Sequence, residues 1–281
     1  MATHALVVGS HWLLGASVTV ATPAWLGRPA RSVQAWLLEW WQLGHLGAVL
    51  LVLALTPSSY GRNRRPVLAR HIFRNTAPIL LGFSIVSALV TVVMTRIVLV
   101  TAMTYGLSQY ALQVVIRVLV LELIPLAGAL FVALRCTIPD GAELATRSAD
   151  SLTPKGLQTL LTDATPRVVA GVFAGITLVS LSGLLVLVVA YLTGFGLTLS
   201  GLAGYSRMFG QVFNPTVTLI YVLKTLLFCL TVSLIPMASA LLDRQTMTAS
   251  NLRTSAEMRG LVRMFSVVLL IEVVSLIGNY S

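Results

Sequence analysis

Four ionisable side chains stand inside stretches that are otherwise apolar enough to cross a bilayer: Arg117, Glu122, Lys224 and Glu272. A charge at membrane depth costs a few kcal/mol or more unless it is paired or faces a wet cavity. Such groups therefore either line a path for a polar substrate or pair with one another and fix the packing of a bundle. Glu122 and Lys224 carry opposite charges and suit either role. A buried glutamate can also relay protons, and a lysine or arginine can hold a phosphate. No catalytic constellation accompanies them. The histidines (His4, His11, His45, His71) are scattered, with no H-E-x-x-H and no metal-ligand spacing. Neither a G-x-x-x-x-G-K-[ST] phosphate loop nor a G-x-S-x-G elbow occurs. The chain is thus expected to be no enzyme and to hold neither metal nor cofactor of its own. Any nucleotide energy it uses would be bound by another chain.

The elements that must position these charges follow from composition. Hydrophobic residues make up 57% and charged residues 10% of 281 residues, and mean hydropathy is +0.90, far from a soluble domain. Several runs reach the roughly 20 apolar residues of a membrane-spanning helix. The fold class is an all-α membrane protein. The net charge of +10 does not mark a nucleic-acid binder, because the basic residues sit in short loops between apolar runs, where they act as topology signals and lipid contacts. Cys136 and Cys229 are too far apart for a metal motif and read as small buried hydrophobes.

Along the chain, residues 1–32 form a lead-in of unknown role. Residues 33–60 hold a helix edged by Trp36, Trp40 and Trp41, which suits the membrane interface better than a span. Residues 61–281 carry five spans, at about 77–103, 110–134, 168–192, 215–242 and 264–278. Pro78 is placed at the first turn of the first span, where its missing donor costs nothing. Residues 104–109 and 194–213 are loops, the second rich in glycine. Between the second and third spans, residues 135–167 leave the membrane. There Leu157, Leu160 and Leu161 follow Pro154 at helical spacing, predicting a short amphipathic helix. It either docks a partner or packs on its own protein. Basic residues number five in 61–74, four in 135–167 and four in 243–263, against one in the loops between. The positive-inside rule then puts the start of the spans on the cytoplasmic side and the C-terminus outside.

Several stretches in this order resemble the MlaE (YrbE) family, permease subunits of ABC transporters that move phospholipid between bacterial membranes with MCE-domain proteins. GRNRRPVLARHIFRNTAPILLGFSIVSALV is similar to the family's basic lead-in and first span. In LELIPLAGALFVALR and the residues after it, Glu122, Pro125, Arg135 and Glu143 keep the family's order and spacing. TPRVVAGVFAG resembles the opening of its third span, and VLKTLLFCLTVS its lysine-bearing fourth, which places Lys224 on the family lysine. The approach RGLVRMF also fits. Departures are Leu121 where the family has arginine, Ile124 where it has glycine, and a shortened, reworded cytoplasmic helix.

The resemblance implies an MlaE-type permease fold in a bacterial inner membrane, working as a homodimer around a lipid-accessible cavity. Its implied partners are a cytoplasmic ABC ATPase that binds ATP and Mg, a periplasmic MCE-domain protein, and phospholipid; a small STAS-type regulatory subunit is also compatible. Nucleic acid is not among them. Glu122, Lys224 and Arg117 would line the substrate pathway. Arg135, Glu143, Arg147, Leu157, Leu160 and Leu161 would belong to the segment that couples to the ATPase. Two other classes remain open: a proton-coupled secondary transporter or channel working through Glu122, and a membrane scaffold that does not transport.

Overall fold

The computed structural model describes residues 28–56, 65–147, 154–246 and 252–280. It divides after residue 41 into two compact units. Of the lead-in expected at 1–32, residues 1–27 lie outside the described residues. The first unit holds the start of α1 (Arg28–Leu55), where Trp36 and Trp40 meet edge to face with ring centroids 5.8 Å apart and Trp41 stands exposed. A ring pair of this kind at an apolar segment's edge suits the polar–apolar boundary of a bilayer.

The second unit begins at residue 42 and holds the remaining helices. Among the described residues every regular element is helical, and six segments are long and apolar enough to span: Trp36–Leu55, Leu68–Thr104, Tyr110–Leu144, Asp163–Phe195, Pro215–Leu242 and Met258–Gly278. The last five overlap the segments expected at 77–103, 110–134, 168–192, 215–242 and 264–278. By length and composition Trp36–Leu55, the segment expected at the interface, also qualifies as a span.

The helices run further than the proline punctuation suggests. α2 (Arg65–Thr104) starts with Pro66 in its first turn and carries Pro78 inside it. The second span is one unbroken helical path: α3 (Ser108–Ile116), a π-helical stretch Arg117–Leu123, α4 (Ile124–Val132), a second π stretch Ala133–Thr137, and α5 (Ile138–Arg147). It therefore does not stop at Arg135. Each π stretch ends two residues before a proline, Pro125 or Pro139. A proline cannot donate to the carbonyl four residues back and its ring crowds that carbonyl; a widened turn relieves both without ending the helix. The Ile124 N–H accordingly reaches Leu119, five residues back, and the Ile138 N–H reaches Ala133.

α6 (Pro154–Phe195) merges the predicted amphipathic helix and the third span into one 42-residue helix, with Pro166 inside it. The glycine-rich loop contains α7 (Leu202–Val212), and α8 (Pro215–Thr246) and α9 (Leu252–Tyr280) complete the chain. α2 and α6 close at glycines in the left-handed region, Gly106 and Gly196, both at φ +72°, where a side chain would be strained.

The second span lies at the centre. Ile116 and Leu119 pack with Val179, Val186 and Val217; Ala129 and Ala133 pack with Phe228, Val232 and Met264; Val132 and Cys136 pack with Phe83 and Leu178. Helices without a hydrophobic drive to associate in lipid approach through small residues. Here a β-carbon on Gly171 would stand 2.7 Å from Ser233 Oγ, and one on Gly175 2.7 Å from Cys229 Sγ, so α6 meets α8 with almost no clearance. α2 and α9 instead turn large apolar side chains outward, among them Leu81, Leu89, Leu270 and Val274, as a lipid-facing surface requires.

Candidate functional site

Three spans bring their charges to one point. The π stretch Arg117–Leu123 carries Glu122, α8 carries Lys224, and α9 carries Glu272. The Lys224 ammonium donates to Glu122 Oε2 and lies 2.8 Å from Glu272 Oε2. The lysine side chain is 2% exposed and each carboxylate 13%. One turn along α8 the buried Phe228 ring stands 5.6 Å from Nζ, close enough for a cation–π contribution. Charges this deep persist only with good partners. Two carboxylates around one ammonium form a compact, nearly dry polar centre in an apolar bundle.

Two of the pathway residues expected from sequence, Glu122 and Lys224, are thus joined. Arg117 opens the same π stretch and is half-buried. Glu272 was visible as a charge inside the last span; its place beside Lys224 was not foreseen. The signal for it was an acid inside a span, which needs a cation at the same depth.

A second polar cluster sits at the basic end. Asp140, on α5, is buried; its carboxylate is 3.7 Å from the Arg74 guanidinium and accepts from Asn75 Nδ2 at 3.3 Å. The buried Arg167 of α6 donates to the Asp140 backbone carbonyl at 2.9 Å and stands 3.6 Å from Glu143. α2, α5 and α6 are thereby tied at the start of the segment expected from sequence to couple. Of the residues assigned to that segment, Glu143 joins this cluster and Arg135 is exposed. The side chains of Arg147, Leu157, Leu160 and Leu161 lie outside the described residues, although their backbone is helical. Sequence reasoning missed Asp140; an acid just after Pro139, flanked by apolar residues, was its one signal.

At the other end, α7 folds back on α6. The Tyr205 hydroxyl donates to the Leu187 carbonyl at 2.8 Å, and its ring meets Tyr191 and Phe195. Burial pushes the Tyr205 phenol up to about 12, which keeps it a donor throughout the neutral range.

Compared with known proteins, the chain matches the model of the family described as Permease MlaE over residues 68–277. That range contains Glu122, Lys224 and Glu272, Asp140 and its partners, and nearly the whole of the last five spans; the tryptophan segment precedes it. No curated protein matches the chain.

Proposed function

The chain belongs to the MlaE permease family, and from that premise we propose that it passes phospholipid through the membrane, powered by a separate ATPase. At the coarser level it is a multi-pass membrane protein and an ABC-type permease subunit for lipid transport. The finer reading adds a bacterial inner membrane, a cytoplasmic ATPase that binds ATP and Mg, a periplasmic MCE-domain protein and a second copy of this chain. A STAS-type subunit is compatible with it. The N-terminal side of the spans would be cytoplasmic and the C-terminus periplasmic, in keeping with the basic loops.

The observation that carries the substrate reading is the buried Lys224 held between Glu122 and Glu272. Acyl chains suit the apolar spans, and a phosphate suits an ammonium. In the described arrangement that ammonium is committed to two carboxylates. A lipid phosphate would have to displace one of them, so head-group binding and rearrangement of the cluster would be a single event.

A proton-coupled transporter is the second reading, and the excess of carboxylates over ammonium at the cluster supports it. Purification from the native host, with mass spectrometry of every co-purifying polypeptide and lipid, separates the two. An ABC ATPase with an MCE-domain protein and bound phospholipid is the expected result. Recovery of the chain without an ATPase, with lipid movement driven by a pH gradient, would overturn it in favour of the second.

A further inference from the structure

Pro236 lies inside α8. Because proline has no N–H, the Val232 carbonyl four residues earlier loses its helical donor. Val232 is fully buried, and an orphaned carbonyl in a dry bundle is costly. The Thr137 hydroxyl, 95 residues away in sequence, supplies the missing bond: it donates to Val232 O at 2.6 Å. Its own Ala133 carbonyl, the usual acceptor for a helical threonine, is 3.5 Å away and already takes the Ile138 N–H. The hydroxyl has therefore left its own helix for the neighbouring one. Thr137 is itself fully buried and closes the second π stretch.

The surroundings make this a junction. On α5, a β-carbon at Gly141 would meet the Pro236 carbonyl at 3.0 Å. Beyond Thr137 the chain runs into α5 and the segment assigned to coupling. Eight residues before Val232 in α8 stands Lys224, held by Glu122 and Glu272.

We propose that Thr137 is a positioning residue of the transport step: by occupying the carbonyl that Pro236 leaves open, it ties the coupling segment to the span that carries Lys224. The inference rests on the transport reading above. A displacement of α5 then reaches the charged cluster through α8 as well as through the second span's own backbone, which two π stretches make compliant. Coupling through side chains needs an element that both ends bias. In this proposal the hydroxyl bridge is the contact through which α5 biases α8.

The test is a cycle of Thr137→Val and Pro236→Ala. Valine keeps the shape of threonine and removes the donor; alanine restores a backbone N–H to Val232. The complex of this chain with its co-purifying ATPase is placed in vesicles of phosphatidylethanolamine and phosphatidylglycerol with a trace of fluorescent phosphatidylethanolamine. Three quantities are read: Tm, ATP hydrolysis, and lipid moved per ATP. Thr137→Val is expected to lower Tm by about 2–4 °C and to reduce lipid moved per ATP severalfold. Thr137→Ser and Pro236→Ala, which both leave a hydroxyl facing the carbonyl, retain the wild-type ratio. In the double variant Tm recovers while the ratio stays low, which a merely structural role would not produce. Recovery of the ratio together with Tm would overturn the proposal, as would a normal ratio in Thr137→Val or a lost one in Pro236→Ala. Should wild-type vesicles move no lipid, the transport reading falls and the positioning role with it, while cancellation of the Tm cost in the double variant would still establish the carbonyl bridge.

Discussion

Replacing Lys224 with methionine removes the ammonium while keeping a chain of similar length against Phe228. What remains is two carboxylates, each 13% exposed, that had shared one cation. At the observed 2.8 Å, one such pair attracts by roughly 6 kcal/mol at an effective dielectric of about 20. Desolvation of the lysine offsets several kcal/mol of this. Breaking a buried pair by removing one partner nets about 3–5 kcal/mol of destabilisation, because the remaining charge stays buried. By contrast, Glu272→Gln leaves one ammonium with one carboxylate and should cost about 1 kcal/mol. The asymmetry follows from the stoichiometry of the cluster. Melts in detergent followed by circular dichroism should show Lys224→Met lowering Tm by roughly 10 °C and Glu272→Gln by a few degrees at most. Adding Glu122→Gln and Glu272→Gln to Lys224→Met should recover most of the loss, since the two carboxylates that had faced the ammonium are then neutral. The reasoning fails if Glu272→Gln is as damaging as Lys224→Met, or if the triple variant melts no higher than Lys224→Met alone.

Three further outcomes are expected. Gly175→Ala, whose β-carbon would sit 2.7 Å from Cys229 Sγ, should destabilise by about 1–3 kcal/mol through overpacking, and Cys229→Ala in the same chain should return much of that in a thermal melt. Asp140→Ala should cost about 1–3 kcal/mol, because it strips the Arg74 and Asn75 contacts at a buried site; proteolysis of the basic end should speed up in parallel. Tyr205→Phe should cost about 1 kcal/mol for the lost bond to Leu187, and faster hydrogen exchange confined to α7 is the measurement that checks it.

Hydropathy was enough to find five long apolar helices, because the length of a span is constrained by the thickness of the bilayer. The pairing of Glu122 with Lys224 was legible as one of two roles, because opposite charges inside apolar runs need partners. Glu272 was harder. Its membership depends on how α9 crosses α8, which one chain's pattern does not encode. Asp140 could not be singled out from the sequence, since its burial is created by residues of two other helices. Pro78 misled: it read as the first turn of a helix, yet it lies inside α2, and Pro139 and Pro166 also sit inside helical paths. Packed neighbours, side-chain hydroxyls and widened turns supply the bonds that water would otherwise have to provide.

The unbroken run of α6 has a consequence of phase. At about 1.5 Å per residue its 42 residues make a rod of roughly 63 Å, longer than the full bilayer of about 40–45 Å. Residues 154–162 therefore keep a fixed rotational setting relative to the Gly171–Gly175 face that grips α8. A single residue inserted between them would swing one part about 100° around the other. The same insertion in the second span has two π stretches in which to be absorbed. The chain thus pairs a helix that tolerates a change of register with one that forbids it, and mutational scanning for insertions should draw that boundary along α6.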